Sequence, residues 1–460
     1  MATDALLEAR EDNELPGRFA RSAAATSGAA LQTADFPAWF ARRRLAHEFR
    51  VRRIPFTQLD RWDFEATTGN LRHRSGRFFT VEGLEVSSED DPTPIWQQPI
   101  IVQPEIGILG ILAKEFDGVL HFLMQAKMEP GNTGLLQLSP TVQATHSNYT
   151  RVHGGSAVKY LEFFSNLDRH RVLADVLQSE HGSWFFHKSN RNMIVETLDD
   201  VPPDDDFRWL TLGQIGELLR LDNVVNMDAR TVLACAPTAY AEAGALHSDT
   251  DLLSWLTTER SRSRLRARLV PLSRLADWPR RDASLGHVRD RYFRVVAVAV
   301  EAGSREVTAW TQPLIEPEGP GVHAFLSRSF GGVPHLLVNA RAEGGLLDVI
   351  ELGPTVQCQP HDLTDPLTGQ RSPFLDTVMN ATPARLRYSA RHCEEGGRFL
   401  RAESRYLVVD ADEDQAPAQP PPGYRWVTPG QLTSLARYSR YVNVQARTLL
   451  AVINAGAVRF

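Results

Sequence analysis

The sequence predicts an α+β protein formed by tandem duplication of one module, with a mixed sheet and flanking helices in each copy. Three observations lead to this fold class. Segments of the first half recur in the second half at a nearly constant spacing, and strand-like and helix-like patterns follow one another without strict β-α-β order. The composition, 42% hydrophobic and 23% charged over 460 residues, is typical of a globular chain long enough for two full cores.

The repeat is clearest in two pairs of matching segments. The stretch IWQQPI at 95–100 corresponds to AWTQPL at 309–314, and LSPTVQ at 138–143 corresponds to LGPTVQ at 352–357, each 214 residues later. The spacing is 216 upstream and 217 downstream, so the matches stay in order over about 200 residues. Chance similarity does not hold one register over such a length, which indicates duplication.

The elements of the first copy can be assigned in chain order. Apolar periodicity and β-rich alternation predict the following elements: a helix over 36–50, strands over 77–86, 106–113 and 119–127, a turn at 129–132, a strand over 134–143, a helix over 155–167, two strands within 183–198, a helix over 212–220 with Thr211 as its N-cap, and a last helix over 226–236. The second copy starts with a helix over 252–266. The order predicts sheets that are mixed and mostly antiparallel.

Domain organisation follows from the repeat. Residues 1–35 are rich in Ala, Ser and Glu with little periodicity, which predicts a flexible tail. Residues 36–240 are predicted to form the first, catalytic module, and residues 250–460 the second, non-catalytic one. The acidic N-terminus has no apolar core of a secretory signal, so none is expected.

Charge and cysteine content exclude several classes of protein. The net charge of −6 gives no basic bias towards nucleic acid, and no apolar run is long enough for a membrane span. The three cysteines are odd in number and form no CxxC pair. This pattern excludes a cysteine-based zinc site and favours a cytoplasmic location.

The segment GVLHFLMQAKMEPGNTGLLQLSPTVQ at 118–143 resembles the strand–turn–strand opening of a Nudix module. In Nudix hydrolases a helix with the pattern REXXEE follows and holds a divalent metal. Here the next segment reads ATHSNYTRVHGGSAVKYLEFF, in which Glu162 is the one acidic residue. The resemblance implies two Nudix-like modules without the metal-hydrolase machinery, and therefore no metal site.

The runs QAKMEPGN at 125–132 and QLSPTVQATHSNY at 137–149 resemble the nucleotide-hexose 2,3-dehydratases of deoxysugar biosynthesis. The resemblance extends over nearly the whole chain after residue 35. It implies a dTDP-4-keto-6-deoxyhexose substrate, loss of water across C2–C3, and no metal or redox cofactor. It also implies a homodimer, transfer of the product to a 3-ketoreductase, and a role in antibiotic glycosylation. The sequence contains no GxGxxG and no GxxxxGK motif, as this chemistry allows.

Such a dehydration needs a base for the C3 proton, donors for an enolate on O4, and an acid for the departing C2 hydroxyl. Lys127 and Glu129 lie on one face at the end of a strand. Lys127 is either a solvated strand-end lysine or a base or electrostatic stabiliser, and Glu129 either forms a turn salt bridge with Lys127 or acts on the sugar. Tyr149 and His153 belong to the densest polar run of the chain, which is either a surface loop or a loop folded over the sugar. The sequence leaves open which group is base and which is acid.

Further substrate-binding candidates are side chains suited to a thymine base, a diphosphate or a sugar. In the first module they are Trp62, Trp96, Gln98, Gln137, Gln143, Thr145, Asn148, Arg151, Gly154, Asn226 and Arg230. The candidates for a nucleotide pocket in the second module are Trp278, Trp310, Gln312, Arg341, Gln357, Asn443 and Arg447. The alternative for the tryptophans is a place in the core, and for the repeated Asn and Arg a structural hydrogen bond.

Catalysis is assigned to the first module because Arg341 stands where Lys127 would recur and the polar run around Tyr149 has no counterpart. The second module is predicted to hold a nucleotide without chemistry. Two other functions compete with the dehydratase. A Nudix-type nucleotide-sugar pyrophosphohydrolase would require Mg²⁺, and a non-catalytic nucleotide-sugar-binding protein would bind without turnover.

Overall fold

The computed structural model describes residues 12–145, 158–238, 240, 244–303, 307–358, 364 and 369–460. Its helices are α1 (Leu15–Ala24), α2 (Phe36–Ala46), α3 (Glu162–Ser165), α4 (Leu212–Leu219), α5 (Met227–Leu233), α6 (Asp249–Arg262), α7 (Leu375–Met379), α8 (Pro429–Ala436) and α9 (Val444–Asn454).

The strands alternate with these helices along the chain. Those of the first half are β1 (Phe49–Ile54), β2 (Trp62–Phe64), β3 (Leu71–His73), β4 (Thr80–Ser88), β5 (Trp96–Val102), β6 (Gly107–Phe116), β7 (Val119–Met128), β8 (Leu136–Ser139), β9 (Val142–Ala144), β10 (Arg171–Ser179), β11 (Phe185–Phe186), β12 (Ser189–Glu196) and β13 (Phe207–Thr211). Those of the second half are β14 (Leu265–Val270), β15 (Ser284–Gly286), β16 (Phe293–Ala302), β17 (Ala309–Pro317), β18 (Gly321–Phe330), β19 (Val333–Ala342), β20 (Ile350–Pro354), β21 (Val356–Cys358), β22 (Leu386–Cys393), β23 (Glu403–Asp410) and β24 (Tyr424–Val427).

Each half contains one large sheet with the same strand order. In the first half the order is β10-β12-β6-β7-β13, with β8 beside β7 and β9 beside β6. The second half repeats it as β22-β23-β18-β19, where β20 and β24 lie beside β19 and β21 beside β18. The β12–β6 and β23–β18 pairs are parallel and the other pairs of these sheets antiparallel. An α+β fold with mixed sheets and two repeated halves is thereby confirmed.

Two smaller sheets join the halves by exchanging one strand each. Strand β14 of the second half pairs antiparallel with β4 of the first half. Conversely, β1 of the first half pairs antiparallel with β16, the repeat equivalent of β4. The same segment of both copies is exchanged, so the sheets do not separate at the predicted module boundary.

The prediction of a flexible tail over 1–35 is wrong for residues 12–35. These residues include α1, which places Leu15, Phe19 and Ser22 on one buried face. The Phe19 ring lies 5.6 Å from that of Phe122 on β7, and Ser22 Oγ donates to the Leu120 carbonyl at 2.6 Å. Burial of a full aromatic ring outweighs the low periodicity of the segment.

Local sequence signals identified some elements better than others. Thr211 caps α4 as predicted, since its hydroxyl accepts from the Gln214 N–H and the Gln214 side chain returns to the Thr211 N–H. The helix predicted over 155–167 is reduced to the short α3 in the part of that range that the structure covers. Strand β10 was missed because its charged residues, including Arg171 and Asp175, interrupt the apolar alternation.

Candidate active site

Two cavities lie where the halves meet, and each is lined by both halves. The Lys127 cavity, of about 320 Å³, is lined by Lys127, Glu129, Gln143, Thr145 and Asp228 of the first half and by Trp310, Gln312, Glu395 and Arg398 of the second. The Arg341 cavity, of about 360 Å³, is lined by Arg341, Glu343, Gln357 and Glu394 of the second half and by Trp96, Gln98 and His181 of the first. Both volumes suit a small organic ligand.

A hydrogen-bonded triad forms one wall of the Lys127 cavity. Lys127 Nζ donates to Gln143 Oε1 at 2.5 Å and lies 3.4 Å from Glu129 Oε1. Gln143 Nε2 donates to the same Glu129 oxygen at 2.9 Å, and Asn132 lies 3.5 Å from the other. The end of β7 and strand β9, both of which pair with β6, bring these side chains together. The triad therefore presents a fixed cation beside a buried carboxylate.

The Arg341 cavity repeats this triad with one change. Gln357 Nε2 donates to Glu343 Oε1 at 2.7 Å, and Arg341 Nε lies 3.7 Å from that oxygen. Asn443 Nδ2 donates to Gln357 Oε1 at 2.9 Å. The carboxylate and the amide are retained, while a compact ammonium is replaced by a planar guanidinium. The two cations differ in donor geometry and are not interchangeable.

The glycine in the turn after β7 allows the halves to meet closely. Gly131 N–H donates to the Gly396 carbonyl at 2.7 Å, and a Cβ at Gly131 would lie 1.7 Å from the Phe399 carbonyl oxygen. Its repeat partner Gly345 faces Phe185 in the same way, at 1.9 Å. A side chain at either position would push the wall of a cavity away.

Two adjacent residues in each half face different cavities, and the sequence reasoning missed them. Glu180 lines the Lys127 cavity and His181 the Arg341 cavity, while Glu394 lines the Arg341 cavity and Glu395 the Lys127 cavity. Asp228, two residues after the N-cap of α5, was missed as well. Extending the repeat alignment to Glu180-His181 and Glu394-Glu395 would have revealed the first four, since both pairs are polar at equivalent positions.

The Lys127 cavity holds carboxyl groups in an unusual electrostatic setting. Burial raises the pKa of Asp228 well above its ordinary value, and the neighbouring Glu395 and Glu129 raise it further. Burial also raises the pKa of Glu395 to about 7, assisted by Glu129 and Glu180 and opposed by Arg398. Carboxyl groups with such pKa values can donate or accept protons near neutral pH.

The Lys127 cavity has the two carboxyl groups of Glu180 and Glu395. At the corresponding positions the Arg341 cavity contains a buried ion pair. His181 Nε2 lies 3.3 Å from Glu394 Oε2, and each side chain is 2% exposed. Burial opposes ionisation of both groups, but their mutual attraction prevails: the pKa of His181 is raised, and that of Glu394 is lowered to about 2. Gln445 Nε2 lies 3.0 Å from His181 Nδ1 and Tyr406 donates to Glu394 Oε1 at 2.9 Å.

This ion pair makes a testable contribution to stability. The lowered pKa of Glu394 stabilises the fold above the ordinary carboxyl value of 4.5, and this stability is lost as the pH falls through about 2. The raised pKa of His181 stabilises the fold below 6.5 and its contribution is lost as the pH rises through the folded value. Glu394→Gln is therefore expected to lower Tm most between pH 4.5 and 6.5 and less in alkaline buffer.

A control for that experiment is Asp63→Asn, which breaks an exposed pair with Arg74 and should change Tm little at any pH. Thermal unfolding followed by circular dichroism across the pH range gives both curves. A Tm difference for Glu394→Gln that stays constant with pH would contradict the ionised pair.

The tryptophans and glutamines predicted for each module contribute to the opposite half. Trp96 and Gln98, assigned to the first-module site, line the Arg341 cavity, while Trp310 and Gln312, assigned to the second, line the Lys127 cavity. Those assignments are corrected accordingly, because strands β5 and β17 cross to the other half's cavity. Of the other predicted residues, Lys127, Glu129, Gln143 and Thr145 meet in one cavity, and Arg341 and Gln357 in the other.

Trp62 and Trp278 lie outside the linings of both cavities and connect the halves. Trp62 Nε1 donates to the Thr311 carbonyl at 3.0 Å, and Trp278 Nε1 donates to the Gln97 carbonyl at 2.9 Å. Both indoles are buried, so the alternative of a structural role fits them. Gln137 is also fully buried and outside both linings.

The repeated asparagines and arginines are structural in this fold. Asn226 and Asn443 cap α5 and α9 by accepting the N–H groups of Ala229 and Ala446. Both asparagines lie outside the linings of the two cavities, which does not support direct contact with a substrate.

Arg230 and Arg447 form reciprocal links between α5 and α9. Arg230 donates to the carbonyls of Val225 and Cys393 at 2.6 and 2.7 Å and to Thr448 Oγ1 at 3.3 Å. Arg447 donates in the same pattern to the carbonyls of Val442 and Ser179 and to Thr231 Oγ1. At most 1% of either arginine is exposed. Their hydrogen bonds fix the ends of β10 and β22, directly before Glu180 and Glu394.

Five predicted site residues, Asn148, Tyr149, Arg151, His153 and Gly154, lie outside the described residues. Within the described ranges, no group of three or more His, Cys, Asp or Glu side chains is arranged to hold a metal ion. In the same ranges, no helix is long and apolar enough to cross a membrane.

A family model described as NDP-hexose 2,3-dehydratase matches residues 33–236 and 249–453, one segment in each half. The chain is 58% identical over 455 residues to the dTDP-4-dehydro-6-deoxy-alpha-D-glucopyranose 2,3-dehydratase of Amycolatopsis orientalis, covering 98% of this chain and 96% of that protein. Identity to the enzymes of the same name from Streptomyces violaceoruber and Saccharopolyspora spinosa is 50% and 47%, over 92% and 95% of this chain and 97% and 94% of those proteins. These matches confirm the resemblance identified on the motifs at 125–149, and the chain belongs to the NDP-hexose 2,3-dehydratase family.

Proposed function

We propose that this chain is a hydro-lyase that removes water across C2–C3 of dTDP-4-keto-6-deoxyglucose. Three relatives at 47–58% identity carry the corresponding name, and they are matched over nearly their whole length. The product is a 3,4-diketo-2,6-dideoxyhexose still linked to dTDP. The observation that carries the proposal is the Lys127–Gln143–Glu129 triad, which lines a cavity large enough for a hexose.

The reaction consists of proton removal at C3, cleavage of the C2–O bond with protonation of the departing hydroxyl, and a final tautomerisation. A base takes the proton on C3, which the C4 ketone makes acidic, and the electron pair moves to O4 as an enolate. The enolate then expels the C2 hydroxyl, which leaves as water after receiving a proton. The resulting C3 enol loses its hydroxyl proton while C2 gains one, which gives the second ketone.

The triad supplies the first step of this sequence. Lys127, held by Gln143 at 2.5 Å, is the donor placed to stabilise the negative charge on O4. Glu129, 3.4 Å from Lys127, is the carboxylate placed to accept the C3 proton. Tyr149 and His153 stay candidates for contacts to the sugar from outside the described residues.

The reaction is expected to proceed without a metal ion. The purified protein is incubated with dTDP-4-keto-6-deoxyglucose, a 3-ketoreductase and NADPH, with and without EDTA, and the 2-deoxy product is measured by chromatography. Equal product in both reactions is expected, because an ammonium and carboxyl groups suffice for every step. Loss of product in EDTA that Mg²⁺ restores would favour a metal-dependent activity, and hydrolysis of the diphosphate would support the pyrophosphohydrolase instead.

The Arg341 cavity is proposed to hold a nucleotide without catalysing dehydration. It retains the carboxylate and amide of the triad and adds an aromatic face, Trp96, and a guanidinium suited to a diphosphate. The ammonium is replaced by Arg341, and the position of Asp228 is occupied by Gln445, an amide that cannot transfer protons.

Further properties of the family are proposed for this chain on the same basis. Each half is a Nudix-like module without the acidic helix, whose place in the first half is taken by α3, with Glu162 exposed. The active form is a cytoplasmic homodimer with no resident cofactor, in line with three free cysteines. The unstable diketo product passes to a 3-ketoreductase on the way to an antibiotic sugar.

A further inference from the structure

Among the carboxyl groups of the Lys127 cavity that lie outside the triad, Asp228 differs from the others in its hydrogen bonding within the part of the chain that the structure describes. Asp228, on the first turn of α5, is 3% exposed and lines the cavity. Among the described residues none donates a hydrogen bond to its carboxyl group. A buried polar group normally has a partner, so this side chain is placed to meet a ligand.

The other carboxyl groups around Asp228 are engaged differently. Glu129 accepts from Gln143, Glu180 accepts from Asn190 at 2.7 Å, and Glu395 accepts from the Gly397 N–H at 3.0 Å. Glu129, Glu180 and Glu395 surround Asp228 from the segments after β7, β10 and β22, and the pKa of Asp228 is raised by these three groups and lowered by Lys127.

We propose that Asp228 is the catalytic acid that protonates the C2 hydroxyl as it leaves. This step rests on the proposed dehydratase function and completes it. The C2–O bond breaks, the enolate electrons form the C2–C3 double bond and restore the C4 ketone, and the Asp228 proton departs with the oxygen as water. Asp228 is left as a carboxylate, and it regains a proton when the C3 enol loses its own.

Two observations support the assignment of Asp228 as the acid. Burial and the surrounding carboxylates raise the pKa of Asp228 well above its ordinary value. The second half of the chain provides a comparison for Asp228. Gln445 occupies the equivalent position in the Arg341 cavity, and its Nε2 lies 3.0 Å from His181 Nδ1. The cavity without the triad ammonium is also the cavity without the acid, as expected if the two groups serve one reaction.

The test separates C3 deprotonation from C2 elimination. In D₂O, proton NMR follows loss of the C3 hydrogen from the recovered substrate, while 2-deoxy product is trapped with a 3-ketoreductase and NADPH. Asp228→Asn should reduce product formation by roughly 10²–10⁴-fold, the usual value of a lost acid–base group. Exchange of the C3 hydrogen should continue, because the triad is intact.

Controls make each outcome decisive. Asp222→Asn removes an exposed carboxylate near α5 and should retain wild-type product formation and exchange. Asp228→Ser serves as a second variant, and unchanged Tm and dTDP affinity show that either variant is folded. Near-wild-type product formation in both variants, or equal loss of exchange and elimination in folded protein, would overturn the assignment. Absence of 2-deoxy product with the wild-type enzyme would instead contradict the proposed function.

Discussion

Replacing Lys127 by methionine is expected to lower turnover by about 10²–10⁴-fold with little change in folding. Methionine keeps the length of the side chain but removes the ammonium that Gln143 and Glu129 hold at 2.5 and 3.4 Å. Without that charge the enolate on O4 has no fixed cation, while nucleotide contacts elsewhere in the cavity remain. Trapping with a 3-ketoreductase measures turnover, and calorimetry with dTDP measures binding.

The matched control is Lys114→Met, which changes a lysine on β6 outside both cavities and should leave turnover unchanged. Arg341→Met makes the equivalent change in the other cavity. It is expected to reduce calorimetric dTDP stoichiometry from two sites to one while dehydration continues. If folded Arg341→Met is inactive and Lys127→Met is active, the assignment of the two cavities has to be reversed.

Replacing Arg447 by alanine is expected to destabilise the protein by roughly 3–5 kcal/mol. The substitution leaves a large void and removes the donors that bind the carbonyls of Val442 and Ser179 and the hydroxyl of Thr231. Ser179 directly precedes Glu180 and His181, so both cavities should be disturbed. Thermal and urea unfolding measure the loss, and the dehydration assay should show inactivation at moderate temperature.

An exposed arginine provides the comparison for this change. Arg437→Ala, just after α8, should alter the free energy of unfolding by no more than about 0.5 kcal/mol. The sequence-based assignment of Arg447 to a nucleotide pocket makes the opposite prediction. It requires loss of one dTDP site with wild-type stability, and that result would contradict the structural role.

The local part of the site could be predicted from the sequence. Lys127, Glu129, Gln143 and Thr145 are close in sequence, and the pairing of β8 with β7 and of β9 with the neighbouring β6 brings them together. The family resemblance was recognised on the same segment. Tandem duplication and mixed sheets were likewise predicted, because repeated spacing and alternation are encoded locally.

The pairing of strands between the two halves could not be predicted from local sequence patterns. Strands β1 and β14 share one pattern of residues, so the sequence gives no indication that each pairs with the other copy. The crossed positions of Trp96 and Trp310 follow from that exchange. Asp228 was missed for another reason: an acidic residue in the first turn of a helix is usually explained by the helix dipole alone.

Because residues of both halves line each cavity, the fold also affects how such a chain can evolve. A protein with one module of this design would complete its cavity only with the wall of a second copy, and the resulting pair would have two identical cavities. Fusion encodes each wall separately, so a substitution at Glu395 alters the Lys127 cavity and one at His181 alters the Arg341 cavity. One chain can therefore specialise one cavity and conserve the other, which a symmetric pair of identical chains cannot do.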